Sequence, residues 1–288
     1  TPPPTPPPTP PPPPTPTPTP TPARPAARDG GGAAWAYGGP KGPATWHTLN
    51  PSYGVCASGA AQSPVNVVPT AAAVDGGGTT VGTLVRAAGN TSWTPRRVAN
   101  NWEFACAGGC GSLSWAGRTY TLEGLALHAP AEHPLDGTPH AMEAQFGFVA
   151  PSGATARLAV VLGLAREGNP VVEALLNALA ATGDDDRQLV VTPERMGQLL
   201  DPASGFCTWM GSLTTPPCTE GVRWFAQAAV LGVTRAQVAA FAAARGGDYG
   251  NARPVQPAGN ATAVMGCYGP PPPTPPPTPT PTAAPVAS

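Results

Sequence analysis

The sequence predicts a mainly β (α+β) domain held between two polyproline II rods, and three observations support this class. Short apolar or alternating runs, bounded by Gly, Pro and Asn turns, recur through the middle of the chain. Only two segments place apolar residues at helical spacing. Both ends consist almost wholly of Pro and Thr, so they have no apolar side chains to bury.

The two ends are predicted to be rods because proline fixes φ and lacks an amide hydrogen. Residues 1–22 contain 15 Pro and 7 Thr, and residues 270–282 contain 9 Pro and 4 Thr. At about 3.1 Å per residue, the first 22 residues would extend about 68 Å. We place the rods at residues 1–28 and 270–288, and one folded domain at residues 29–269.

The repeats "PPPT" and "TPTP" in these rods resemble the hydroxyproline-rich glycoproteins of plant and green-algal walls. That resemblance implies hydroxylation and O-glycosylation; the alternative is an unmodified spacer. The candidate positions are Pro3, Pro4, Thr5, Pro7, Pro8, Thr9, Pro11, Pro12, Pro13, Pro271, Pro272, Pro273, Thr274, Pro276 and Pro277.

Within the domain we expect six strands and two helices. The strands are "TLVRAA", "WEFACA", "RTYTLEGLALH", "MEAQFGFVA", "ARLAVVLGLA" and "VRWFAQAAV". The helices are "NPVVEALLNALAA", capped by Asn169 with Pro170 in its first turn, and "TRAQVAAFAAA", capped by Thr234.

Charge and cysteine usage indicate a secreted, extracellular or cell-surface protein. The formal net charge is −1 without a basic cluster, which gives no reason to expect a nucleic acid partner, and no apolar run approaches a membrane span. Six cysteines without a CxxC pair predict three disulfides. Two sequons, at Asn90 and Asn260, predict N-glycosylation. The expected partners are covalent glycans and other copies or subunits that associate through the rods.

Four motifs in the domain resemble the alpha-class carbonic anhydrases. They are "WAYGGPKGPATW", "QSPVNV", "GSLTTPPCTEGVRW" and "NARPVQP", in the order and approximate spacing of that family. The resemblance implies a large, twisted, mostly antiparallel sheet with a few peripheral helices and a cone-shaped active-site cleft. It also implies a catalytic zinc with three histidine ligands and one open position for water.

The family's ligand pattern falls on residues that differ from it. The first ligand position is Ala126, the second is His128 and the third is Gln145. Alanine has no donor atom, and a neutral amide oxygen is a poor zinc ligand beside imidazole. We therefore predict that the chain binds no zinc or other cofactor and is not an enzyme.

Other residues of the family site are present in part. Thr214 matches the threonine that orients the zinc hydroxide, and Glu132 matches the glutamate that accepts its hydrogen bond; we interpret them as a buried polar pair that satisfies itself. Glu143 matches the carboxylate that would hold the third histidine, so we expect it to lack that partner. Glu103 falls at the proton-shuttle position, where an ordinary glutamate is a weak shuttle near pH 7.

The three remaining histidines are not expected to replace the missing ligands. His133 belongs to the turn after the first ligand strand, where the family packs its counterpart away from the metal. His140 precedes Gln145 by an odd number of residues, so on a regular strand it faces the opposite side. His47 is expected at the surface.

The family resemblance implies a disulfide between Cys56 and Cys218. Cys106 and Cys110 flank "AGG" and are placed to close a hairpin, which leaves Cys207 with Cys267. Six cysteines allow 15 pairings, so the last two pairs rest on elimination.

These observations favour a non-catalytic structural subunit of an extracellular or cell-surface glycoprotein assembly, such as a fibril, a wall layer or an appendage. One alternative is a binding module that holds a small ligand or glycan in the former cleft. The other alternative is a residual carbonate dehydratase or esterase.

Overall fold

A computed structural model describes residues 35–68, 80–81, 85–87, 91–98, 101–106, 110–181, 189–191, 198–246, 250–257 and 266–269. Both Pro/Thr rods and the two sequon residues, Asn90 and Asn260, lie outside these ranges. The domain boundaries, the rods and the glycosylation sites therefore stay predictions.

The described residues form a twelve-stranded sheet with the central order β12-β9-β10-β7-β6-β5-β3-β2-β8, with β4 joined to β5, β1 joined to β4, and β11 paired with β7. The strands are β1 Val85–Ala87, β2 Thr91–Val98, β3 Asn101–Cys106, β4 Gly111–Trp115, β5 Arg118–His128, β6 Met142–Val149, β7 Thr155–Leu164, β8 Leu189–Val191, β9 Phe206–Ser212, β10 Glu220–Gln227, β11 Leu231–Val233 and β12 Gly266–Tyr268. All pairings are antiparallel except those of β7 with β10 and with β11. The predicted mainly antiparallel class is confirmed.

A few helices surround the sheet. They are α1 Trp46–Leu49, α2 Val55–Ser58, α3 Pro170–Ala181 and α4 Arg235–Arg245, with 3-10 turns at Gly39–Lys41, Pro43–Thr45 and Pro51–Tyr53. Thr234 caps α4 as predicted. Its hydroxyl accepts a hydrogen bond from the backbone amide of Gln237, and the side-chain oxygen of Gln237 accepts one from the backbone amide of Thr234. Asn169 accepts from the amides of Val171 and Val172 at the start of α3. Within the described residues, no helix has both the length and the apolar character needed to cross a membrane.

Two buried clusters lie on opposite faces of the sheet, where strand alternation directs the side chains, and a third lies at the amino-terminal end. On β10, Phe225 enters the largest cluster while Trp224 enters a second cluster on the other face. The third cluster joins Trp35 and Trp46 to the disulfide between Cys56 and Cys218. The amino-terminal end of the described fold is therefore packed against a covalent link.

The disulfides follow the predicted pairs. Cys56 is bonded to Cys218, Cys106 to Cys110, and Cys207 to Cys267. The third bond joins β9 to β12, whose last residue, Tyr268, lies close to the start of the carboxy-terminal Pro/Thr segment.

Candidate active-site region

The register of β5 and β6 brings the three family ligand positions together. Ala126 is paired with Gln145, and His128 with Glu143. Ala126 and His128 are two residues apart, so strand alternation turns both toward the same face. The predicted juxtaposition of Ala126, His128 and Gln145 is thus present, and all three residues are buried.

Gln145 is a structural hydrogen-bond donor in this region. Its Nε2 atom lies 2.7 Å from Oε2 of Glu132 and 2.8 Å from Oε1 of Glu143. An amide nitrogen carries two hydrogens, so these two bonds use its full donor capacity. Gln145 thereby links the buried carboxylates of Glu132 and Glu143.

Glu143 has partners, and the expectation that it lost its role with the third histidine is corrected. Its Oε2 atom accepts from the backbone amides of Glu132 and His133, at 3.0 and 2.8 Å, and Nδ1 of His133 lies 2.8 Å from its Oε1 atom. Burial acts to raise the pKa of Glu143, but the charge of His133 and its hydrogen bonds together outweigh burial, so the pKa is lowered. The carboxylate secures the turn that follows β5.

His128 is held in one orientation by the chain after α4. Its Nδ1 atom donates to the carbonyl oxygen of Asn251 at 2.6 Å, which leaves Nε2 as the ring nitrogen with the lone pair in the neutral form. The Asn251 side chain accepts from the amide of Ala129 and donates to the carbonyl of Leu127. Sequence reasoning missed Asn251, although it opens the "NARPVQP" motif.

Glu132 does not pair with Thr214, which corrects the predicted polar pair. Its Oε1 atom accepts from the backbone amide of Arg253 at 2.8 Å, and its Oε2 atom accepts from Gln145. Among the described residues, no hydrogen bond joins Glu132 to the buried Thr214. The side-chain amide of Gln145 donates to the carboxylate of Glu132 in place of Thr214, the partner that the family resemblance implies.

Arg253 is a second residue that sequence reasoning missed. Its guanidinium donates to Oε1 of Gln62, to the carbonyl of Ser63 and to the carbonyl of Cys56, at 2.9, 2.7 and 2.9 Å. Burial lowers the pKa of Arg253 to about 10, although the charge of Glu132 acts in the opposite direction. Arg253 therefore joins the segment after α4 to residues 56–63 near the amino-terminal end of the fold.

The other three histidines do not stand at the ligand positions, although His133 and Gln145 share Glu143 as a partner. His133 is fully buried, with its ring 4.7 Å from that of Trp224 and 5.4 Å from that of Trp209. His140 precedes β6, which begins at Met142, so the strand-parity argument does not apply to it. His47 is exposed on α1, as expected.

Tyr37 and Glu103 lie near this region. Glu103 is paired with Ala126 across β3 and β5. Burial and the charge of Glu132 raise the pKa of Tyr37 well above its usual range, and Glu103 adds to the effect while Arg245 opposes it. A phenol of this kind is neutral at physiological pH and able to donate a hydrogen bond.

The three ligand positions do not fit a three-histidine zinc site. They supply one methyl group, one imidazole and one amide whose nitrogen is committed to two carboxylates. In the described part of the chain, no three His, Cys, Asp or Glu side chains are grouped to hold a metal. We therefore derive no reaction step through zinc from this donor set.

A sequence profile described as eukaryotic-type carbonic anhydrase matches residues 41–264. The chain belongs to this family. A carbonic anhydrase of Neisseria gonorrhoeae is 31% identical over 243 residues, which cover 83% of this chain and 90% of that protein.

Two solved structures extend the comparison. The alpha-carbonic anhydrase of Thermovibrio ammonificans, in complex with the inhibitor sulfanilamide, is 28% identical with a TM-score of 0.67, covering 83% of this chain and 100% of that one. A structure of dioscorin complexed with ascorbate is 26% identical with a TM-score of 0.64, covering 81% of this chain and 96% of that one.

These comparisons correct two predictions. The predictions that the chain is not an enzyme and that it uses no zinc are contradicted, because the family is one of zinc enzymes and relatives named carbonic anhydrase match most of the chain. Family membership shows that the chain has a carbonic anhydrase-type domain. At the three ligand positions, this chain carries Ala126, His128 and Gln145.

Proposed function

We propose that the chain is a structural subunit of an extracellular or cell-surface glycoprotein assembly, with the carbonic anhydrase-type domain as its folded unit. The assembly is a fibril, a wall layer or an appendage, and the Pro/Thr segments connect successive folded units. This role is separate from any reaction that the domain carries out.

One observation carries the proposal: two of the disulfides shorten the covalent path through the domain. From Trp35 the path reaches Cys56, crosses to Cys218, returns eleven residues to Cys207 and crosses again to Cys267. The long chain segment between Cys56 and Cys207 lies outside this path. Tension applied through the Pro/Thr segments would therefore bypass most of the sheet.

The composition of the ends agrees with such a role. Pro/Thr segments with polyproline II geometry are semi-rigid spacers, and their hydroxyl groups are candidates for glycosylation. Three disulfides are typical of proteins from oxidising compartments. A contact in which each rod binds the next copy would be heterologous, and such a contact that does not close produces a filament.

Electron microscopy of the full chain with its native modifications tests the proposal. We expect fibrils or ordered arrays, and we expect the chain shortened to residues 29–269 to give dispersed particles at the same concentration. Dispersed single particles from both preparations would contradict the assembly role.

A second candidate function is the binding of a small ligand beside β5 and β6, in the cleft that the family resemblance implies. The similar dioscorin structure was solved with ascorbate, and Ala126 places a methyl group where the family has an imidazole. Calorimetric titration with ascorbate tests it: binding that is lost in A126F supports the cleft as the site. Equal binding by both chains would exclude this cleft.

A further inference from the structure

A cavity of about 210 Å³ lies at the end of the largest buried cluster, away from the ligand positions of the family site. One wall is the hairpin between β4 and β5, which contributes Trp115, Ala116, Arg118 and Tyr120. Strands β9 and β10 contribute Met210, Gly221 and Arg223. Ala154, which precedes β7, and Thr155, the first residue of β7, complete the cavity.

The hairpin wall is held in place by backbone and aromatic contacts. Ala116 and Gly117 have φ values of 48° and 73°, as a two-residue type I′ turn requires, and this turn sets Trp115 opposite Arg118. The Trp115 ring makes edge contacts with Phe206, Phe225 and Tyr268, with centroids 5.0 to 5.6 Å apart. The cavity is therefore preformed, as small-molecule sites usually are.

The part of the lining formed by β10 includes a glycine with open space beside it. Gly221 has a φ of 89° and lies at the irregularity of β10 between Glu220 and Val222. A Cβ atom at this glycine would meet nothing within 4 Å. Because φ is positive, glycine is favoured here, and this part of the lining carries no side chain.

The two arginines give the cavity a positive charge that nothing in its lining neutralises. The lining contains Arg118 and Arg223 and no acidic residue. Within the described residues, neither guanidinium makes a hydrogen bond or an ion pair with a protein group. Arginine binds carboxylates through two parallel N–H donors, so this cavity favours an anion.

We infer that this cavity binds the carboxylate of a uronic acid residue in an acidic polysaccharide. Its volume is below the roughly 300–1,000 Å³ of a typical site for a drug-sized ligand, which suits one sugar ring. Trp115 and Met210 line the cavity and offer apolar surface to the ring, and Thr155 and Tyr120, which also line it, carry hydroxyl groups of the kind that binds sugar hydroxyls. The site is distinct from the cleft and does not depend on the assembly role.

Calorimetric titration of the full chain with trigalacturonate tests this inference. We expect binding that R118Q and R223Q each weaken by at least about tenfold, since each removes a charged hydrogen-bonding partner. R166Q removes the same charge at an exposed position outside the cavity, and we expect it to bind like the parent chain. Circular dichroism of all three variants verifies that they are folded.

Two further ligands test separately whether the cavity requires the carboxylate and whether it requires the sugar ring. Neutral trigalactose should bind at least about tenfold more weakly than trigalacturonate, because it lacks the carboxylates. Inorganic phosphate should also bind more weakly, because it cannot use the apolar wall. Equal affinity for phosphate would overturn the assignment to a sugar, and unchanged affinity in R118Q and R223Q would overturn the assignment to this cavity.

Discussion

The Nε2 atom of Gln145 lies 2.7 Å from the Oε2 atom of Glu132, so one buried side chain donates to the carboxylate of the other. The same nitrogen also donates to Glu143 at 2.8 Å. At the third ligand position of its family, this chain therefore carries an amide that joins two acidic groups.

Replacing Gln145 by leucine should lower the free energy of unfolding by about 3 kcal/mol, because two buried carboxylate oxygens lose charge-assisted hydrogen bonds. Denaturant unfolding of Q145L measures the loss. Q256L is the matched control, since the Gln256 amide bonds to a carbonyl at an exposed position. Equal stability of the two variants would show that the amide contributes nothing.

Restoring imidazoles at the first and third ligand positions should increase zinc affinity. The double variant A126H/Q145H has three imidazoles where the parent has one, so we expect it to bind zinc more tightly than the parent and than either single variant. Calorimetry with zinc measures the change. A double variant that binds no more tightly than the parent would show that the backbone no longer supports the family geometry.

The same preparations allow a direct assay of CO2 hydration, which is informative because relatives of the chain are named carbonic anhydrase. Activity of the parent chain that disappears on chelation would show that His128 and its neighbours suffice for a working metal centre. A higher hydration activity in A126H/Q145H than in the parent chain would show that Ala126 and Gln145 limit the activity of the parent.

The stability of the domain should fall in acid through Glu143. Its pKa is lowered in the folded state, so its contribution is present above the unfolded value of about 4.3 and is lost as pH falls through the folded value. Denaturant unfolding between pH 7 and pH 3 measures this dependence. E143Q should flatten it, whereas E167Q, at an exposed position after β7, should leave it unchanged.

The disulfides should limit how far the domain extends under force. With Cys56–Cys218 and Cys207–Cys267 intact, the covalent path between Trp35 and Gly269 extends about 120 Å, compared with about 820 Å for the reduced chain, at about 3.5 Å per residue. Single-molecule pulling with and without reductant measures both lengths. C106A/C110A is the control, because that disulfide spans only four residues and should barely change the extension.

Much of the sheet was predictable because its central strands carry clear patterns. The predicted "RTYTLEGLALH" coincides with β5, and "MEAQFGFVA" overlaps β6 except for its last residue. Strand β2 was missed because Pro95 interrupts "TSWTPRRV", a run that nonetheless pairs with β3. Strands of three residues, such as β12, are too short to show a period.

The hydrogen-bond partners of the site residues were harder to predict than the residues that form the site. Family register placed Ala126, His128 and Gln145 together, and the structure has the same arrangement. The bond from Gln145 to Glu132 depends on how the turn after β5 folds back, and no local pattern encodes that distance. The bonds of Arg253 reach partners about 190 residues earlier in the chain, beyond any periodic signal.

The link between Cys207 and Cys267 also bears on how copies of the chain behave when crowded. Strand β12 occupies the outer side of β9, where an unpaired strand would offer its amide and carbonyl groups to another molecule. A three-residue strand held by hydrogen bonds alone would be easily exchanged between neighbours. Because Cys267 fixes β12 covalently to β9 of its own chain, neighbouring molecules cannot exchange this strand.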